Sequence, residues 1–194
     1  MPSEKTLFET KWSSIIKKTM DNGSVYEYLH SPWCNGEGVA ILPFRRTASS
    51  FTRLDAIDYE FLGRFEVCPA HSNDFELCSI TGGMDKQGEN PMITAWRELI
   101  EEGGYRVPLE NIIPLGTVRP SKASDTKTHL FAVNLDKGFD EFEAIGDGTP
   151  CEEGAYCKWV SRDNILLAKD SLLHAMYVRL RYKRLHYIDS QKNN

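Results

Sequence analysis

The stretch GGMDKQGENPMITAWRELIEEGGY, from Gly82 to Tyr105, opens on two glycines and carries four glutamates: Glu89, Glu98, Glu101 and Glu102. Asn90 followed by Pro91 predicts a helix start. A short polar side chain can accept from an early backbone N–H, and a proline at the first helical position loses no hydrogen bond. Gly103 and Gly104 predict its end. Within the helix Glu98, Glu101 and Glu102 stand at i, i+3 and i+4, so they share one face. Like charges so placed repel and destabilise an isolated helix. Arg97 is the only cation between Pro91 and Glu102. The arrangement becomes favourable when a hard divalent cation sits among the carboxylates. Mg²⁺ takes oxygen ligands, keeps several waters and bridges carboxylates to substrate phosphates. The glycines before the helix let the backbone approach closely, so that a carbonyl there can complete the shell.

Outward from this helix the chain reads mostly as strands. KWSSIIKKTMDNGSVYEYLHS, Lys11 to Ser31, predicts a hairpin turning at Asp21-Asn22-Gly23. GVAILPF, Gly38 to Phe44, is a short apolar run and predicts a buried strand. Thr47 to Asp58 is polar and reads as a connection, Tyr59 to Val67 reads as a strand, and Phe75 to Ile80 leads into the glycine pair. NIIPLGTV, Thr128 to Leu135 and Ala155 to Ser161 predict further strands. A second helix is expected from Asp170 to about Tyr187, with Leu173, Met176, Tyr177, Leu180 and Arg184 on one side. Its Arg179, Arg181, Lys183 and Arg184 read as a solvated basic face. Strands around one central and one terminal helix fit a mixed α/β layered domain.

The chain's 194 residues suffice for one domain with a real core. A formal net charge of -5 argues against a nucleic-acid-coating role, because no basic excess exists to neutralise phosphates. It leaves room for a small anionic substrate held through a metal. No apolar run approaches the length of a membrane span, and MPSEKTLFETKW has no signal-peptide core. The cysteines are Cys34, Cys68, Cys78, Cys151 and Cys157, an odd number with no C-x-x-C pair. They read as free thiols of a cytoplasmic protein, and neither a zinc site nor a disulfide framework is expected.

From Gly83 the sequence satisfies G-x5-E-x7-R-E-U-x-E-E-x-G-U, with U a bulky apolar residue, through Gly83, Glu89, Arg97, Glu98, Leu99, Glu101, Glu102, Gly104 and Tyr105. Tyr105, aromatic where the pattern has an aliphatic residue, is the one departure. The stretch resembles the Nudix box. That resemblance implies an α/β/α sandwich with a mixed sheet and hydrolysis of a nucleoside diphosphate linked to another moiety. It makes Glu98, Glu101 and Glu102, with the carbonyl of Gly82, the candidate ligands of Mg²⁺ or Mn²⁺. Glu101 doubles as a candidate catalytic carboxylate. Glu89 and Arg97 would hold the loop and orient the catalytic glutamates.

Much of the remainder resembles the ADP-ribose (ADP-sugar) pyrophosphatases. Residues 1–36 look like the N-terminal hairpin extension of that subfamily and residues 37–194 like its core, together one domain. The resemblance implies a homodimer formed through the hairpin region, and Trp12 and Tyr28 as the aromatic pair that stacks the adenine. Pro120, in GTVRPSKASDT, falls near the spacing typical of ADP-ribose hydrolases. In DGTPCEEGAYCKWVS, Glu153 is the candidate general base, with Glu152 the alternative. The sequence departs from the subfamily before the box, where Glu76-Leu77 is followed by extra residues. An expected phosphate-binding arginine is also displaced, to Arg64. Phosphate contacts are therefore assigned to Arg45, Arg46, Arg64 and Arg119 without a choice among them. Other nucleoside diphosphate derivatives, or a non-catalytic nucleotide sensor, are the alternative readings. The three intact box glutamates favour an enzyme.

Overall fold

The computed structural model describes residues 3–47, 59–86, 88–136, 138–146 and 153–192, with side chains as far as 183. The connection expected from Thr47 to Asp58 lies almost entirely outside the described residues, as do Glu152 and Cys151.

The central strand is β4, Glu37–Arg46. Its apolar run is buried on both faces, which is why it lacks the alternation of a half-exposed strand. Val39 and Ile41 join a core on the side of α1, Pro91–Glu101, with Ala95 and Leu99 of that helix. Ala40, Leu42 and Phe44 join a second core with Ile165 of α2, Arg162–Leu167, and with Leu173, Met176 and Leu180 of α3, Ser171–Lys192. The sheet runs β12–β5–β4–β10–β9, with β6 on β5 and β7 on β4. These are β5 Tyr59–Val67, β6 Phe75–Cys78, β7 Ile80–Gly83, β9 Ile112–Val118, β10 Lys127–Asn134 and β12 Tyr156–Ser161. β4 and β10 are parallel and the remaining pairs antiparallel. Two short strands, β8 Tyr105–Arg106 and β11 Asp140–Glu141, pair separately. The expected α/β/α sandwich with a mixed sheet is thus the fold observed.

The segment from Phe75 into the glycine pair forms two strands that part at Ser79. β6 pairs with β5, then β7 crosses to pair with β4. Ser79 is buried, and its N–H and hydroxyl both donate to Asp170 Oδ2, at 2.7 and 2.6 Å. Asp170 Oδ1 accepts from Leu172 N at 2.7 Å, so one carboxylate ties the strand switch to the first turn of α3. The switch delivers Gly82 and Gly83 beside Val39 and Gly38.

The N-terminal region is a three-stranded sheet, not a hairpin alone. β2 Ser14–Thr19 and β3 Val25–His30 flank the expected turn, where Gly23 has φ 80°, and β1 Ser3–Glu9 adds to the edge of β2. β3 is zipped to the loop after β9: Leu29 N donates to Ala123 O, Asp125 N to Leu29 O, and Tyr26 Oη to Lys122 O. The basic face of α3 is also less free than expected. Arg179 donates to Leu115 O and Lys183 to Pro114 O, carbonyls at the register shift of β9 against β10. The Arg184 side chain lies outside the described residues.

Candidate metal and nucleotide site

The α1 helix starts as its sequence dictates, with Asn90 Oδ1 accepting from Met92 N at 2.9 Å and Pro91 in the first turn. Its buried stripe of Thr94, Ala95 and Leu99 fixes the rotation of the helix on the sheet. That rotation carries Glu98 over β7. A Cβ added to Gly82 would lie 2.2 Å from Glu98 Cδ and Oε1, so the carboxylate rests directly on the Gly82 backbone. Glu102, at the helix end, is buried, and its Oε1 lies 3.5 Å from Arg64 Nη2 of β5. Glu101 is half-buried, and its carbonyl accepts from the N–H groups of Ile145 and Gly146. A carboxylate on a glycine backbone, beside two more from the same helix, is an all-oxygen donor set. Such a set fits a hard cation of the Mg²⁺ kind.

Arginines hold the cluster from two sides. Glu89 accepts from Thr94 Oγ1 at 2.8 Å and from Arg97 Nη1 at 3.3 Å. Arg97 Nη2 lies 3.7 Å from both Asp85 and Glu98, so this one guanidinium joins the loop to the helix. Arg64, only 4% exposed, bonds Glu66 through Nε at 2.9 Å and turns its other end to Glu102. Cys157, opposite Arg64 on β12, donates its thiol to the Glu102 carbonyl at 3.2 Å, and burial pushes the thiol up to about 12. Cys157 was not singled out in the sequence. Only the pairing of β12 with β5 gives it a position.

The four arginines considered for phosphate part company. Arg45 bonds Glu60 and lies over the Trp159 ring, 3.9 Å from its centroid. Arg46 pairs with Asp136. Both lie six or more residues along β4 from Val39, the partner of Gly82, which at about 3.3 Å per residue is roughly 20 Å of strand. The structure therefore does not bring them to the glutamates. Arg64 is at the glutamates and is engaged with two carboxylates, Glu66 and Glu102. Arg119 and Pro120 are exposed, beyond the end of β9.

Trp12 and Tyr28 do not form a ring pair. Tyr28 is half-buried on β3, opposite Ile16. Trp12 packs edge-on against Trp33, with centroids 6.0 Å apart at 71°. Trp33 in turn lies on Gly83, where an added Cβ would sit 1.9 Å from its Cη2. Both indoles remain about half exposed, at 55% and 42%. They form an aromatic shelf that reaches the glycine pair. Trp33 was missed in the sequence. Its signal was the Pro32–Cys34 turn, closed by Asn35 and Gly36 at φ 50° and 68°. Glu153 is exposed ahead of β12, and within β12 Tyr156 lies parallel to Phe65 with centroids 5.1 Å apart.

The layered sheet with its glycine-to-glycine loop, helix and loop defines a Nudix fold. Comparison with solved structures gives the same result. The chain is similar to an ADP compounds hydrolase, with TM-score 0.63 at 17% identity over 93% of both chains. It is similar also to a NUDIX hydrolase from Nitrosomonas europaea, with TM-score 0.51 at 15% identity over 76% of this chain and 88% of that one. A third is the NUDIX domain of Shewanella oneidensis NrtR complexed with ADP ribose, with TM-score 0.50 at 15% identity over 77% and 87%. No family model and no curated protein matches the sequence.

Proposed function

We propose that this chain is a divalent-metal-dependent hydrolase that splits the pyrophosphate bond of ADP-ribose, or of a related ADP-sugar, into AMP and a sugar phosphate. The observation that carries this reading is the seat of Glu98 on the Gly82 backbone, in the same helix turn as Glu101 and Glu102. Those three carboxylates and the Gly82 carbonyl would hold Mg²⁺ or Mn²⁺. Once bound, the ion neutralises phosphate charge and lowers the pKa of a coordinated water. The other residues position and shield. Arg97 with Glu89 holds Glu98 in place, and Arg64 with Cys157 holds Glu102. Trp12 and Trp33 offer a π-face to the base, with Tyr28 farther along the sheet. Glu153 or Glu152, on the loop before β12, takes the proton of the attacking water, and Arg119 and Pro120 border the substrate. Exposed Phe8, Val25 and Leu29 on the N-terminal sheet suit a homodimer formed through that sheet.

Two similar structures support the substrate choice: one is an ADP compounds hydrolase, the other a domain complexed with ADP ribose. The test is a panel of ADP-ribose, ADP-glucose, UDP-glucose, diadenosine polyphosphates, FAD and NADH, with and without Mg²⁺, with products separated. ADP-ribose is expected among the best substrates, and another preference would replace that assignment. Glu102→Gln is expected to abolish turnover. Equal rates for this variant and wild type would leave only a nucleotide-binding role. Trp33→Ala is expected to raise KM more than it lowers kcat.

A further inference from the structure

One cluster of ligating side chains lies beside the site described above and shares with it only Glu66, the partner of Arg64. Glu66 near the end of β5, Cys68 just past it and Cys78 at the end of β6 bring one oxygen and two sulphurs within 4.8 Å of one another. The two sulphurs are 3.5 Å apart. Cys78 is buried, and Glu66 and Cys68 are half-buried. In a tetrahedral site with metal–sulphur bonds of about 2.3 Å, neighbouring ligand atoms stand about 3.8 Å apart. The sulphur pair is therefore already spaced close to a coordination edge. Glu66 is held by Arg64 Nε at 2.9 Å and the two thiols touch each other, and a cation placed among them uses all three donors.

The charges also close. Binding with loss of both thiol protons gives two thiolates and one carboxylate. A divalent ion offsets two of these charges, and Arg64, buried and 2.9 Å from Glu66, faces the third. Thiolates select a soft or borderline ion such as Zn²⁺, not Mg²⁺. We propose that Glu66, Cys68 and Cys78 form a second metal site, specific for a thiophilic divalent cation and separate from the glutamates of α1. Three protein ligands leave one coordination position open. Because Arg64 touches Glu66 on one side and Glu102 on the other, occupancy of this site is felt at the end of α1. Among the described residues Cys34, Cys68, Cys78 and Cys157 are free thiols, as the sequence reading expected. Nine residues separate Cys68 from Cys78, and only the β5–β6 hairpin closes that gap.

The test uses the full chain, reduced and stripped with a chelator, then titrated with Co²⁺ in excess Mg²⁺ and back-titrated with Zn²⁺. One Co²⁺ per chain is expected, with thiolate-to-cobalt charge-transfer absorption that Zn²⁺ removes. The signal should persist in Glu98→Gln/Glu101→Gln, which separates this site from the hydrolase reading, and vanish in Cys68→Ser. Glu66→Gln keeps both cysteines and serves if Cys68→Ser fails to fold. Its affinity should fall by about tenfold or more, since supporting groups alone commonly contribute about 10–100-fold to metal affinity. Absence of the charge-transfer band overturns the proposal, as does its survival in Cys68→Ser. A loss of two hydrogens in mass from disulfide formation, without metal uptake, overturns it too.

Discussion

Replacing Gly82 by alanine tests the seat of Glu98 with one methyl group. Gly82 is not among the positive-φ glycines, so its backbone accepts alanine without strain. The obstacle is Glu98, whose Cδ and Oε1 would lie 2.2 Å from the new Cβ, where contacts under 3.0 Å essentially never occur. The carboxylate must therefore retreat by about 0.8 Å. Against Mg²⁺–oxygen bonds of about 2.0–2.1 Å with strict octahedral demands, that retreat breaks the bond. The side chain is 12% exposed, so it has a direction in which to move. The overpacking cost should then sit near the low end of the usual range of about 1–3 kcal/mol. For a chain of this size this means a fall of about 2–4 °C in Tm. A misplacement near 1 Å costs about 10²-fold in rate. The assay is AMP release from ADP-ribose across a Mg²⁺ titration, with a melt followed by circular dichroism. Gly83→Ala is the contrast, because its Cβ meets the Trp33 ring and leaves Glu98 alone, so it should raise KM and leave Mg²⁺ affinity unchanged. Wild-type turnover and wild-type Mg²⁺ affinity in Gly82→Ala would refute the reasoning.

Arg64→Met should destabilise the fold by about 3–5 kcal/mol in urea unfolding, because it leaves Glu66 and the buried Glu102 without their guanidinium. Asp170→Ala should lower stability by roughly 2–6 kcal/mol, since the buried Ser79 N–H and hydroxyl lose their common acceptor at about 1–3 kcal/mol each. Glu37 accepts from Lys127 Nζ at 2.8 Å and His129 Nε2 at 3.0 Å, and these bonds, Lys127's first, hold its carboxyl below the ordinary 4.5. A depressed carboxylate contributes stability above its unfolded value and loses it as pH falls through the folded one. Wild type should therefore be more stable than Glu37→Gln at neutral pH, and the two should converge in acid melts below pH 4.5. Chelation should leave the circular dichroism spectrum native, while Mg²⁺ at about a hundred times Kd adds about 2.7 kcal/mol. A chain that unfolds in chelator would show that the glutamates depend on metal for folding.

What could be read from the sequence was what neighbouring residues decide. The α1 boundaries follow from Asn90, Pro91 and the closing glycines, and all of those interactions are local. β4 was legible because seven consecutive apolar or small residues have no other use. β1 was not, because SEKTLFE is exposed along its whole length and carries no burial pattern. α2 has six residues, too few for a helical period to show. The site contacts that were missed all cross the sheet. Arg64 stands 38 positions before Glu102 and Trp33 stands 50 before Gly83, and no spacing rule links such pairs. β4, β5 and β7 must be placed side by side before either contact exists. Arg45 and Arg46 illustrate the same point in reverse: a strand that starts at the glycine pair carries its last residues away from the glutamates.

Within its own sequence α1 sets only Arg97 against its glutamates. The sheet supplies a second cation. Glu98 and Glu102 are one turn apart, with Cβ atoms about 5–6 Å distant, and at an effective dielectric near 20 their repulsion is about 3 kcal/mol. Arg64 at 3.5 Å from Glu102 and Arg97 at 3.7 Å from Glu98 each give a gross attraction of about 4–5 kcal/mol on the same scale, before desolvation. For this pair alone, the gross attraction exceeds the repulsion without any bound ion. The carboxylates can then be held close together before metal arrives, and the free energy of metal binding need not be spent on folding the helix. Desolvation falls hardest on Arg64, which is buried, whereas Arg97 stays partly in water. The two arginines therefore differ in consequence. Removing Arg97 should loosen the loop and slow turnover, while removing Arg64 should convert a fold that tolerates chelation into one that requires Mg²⁺.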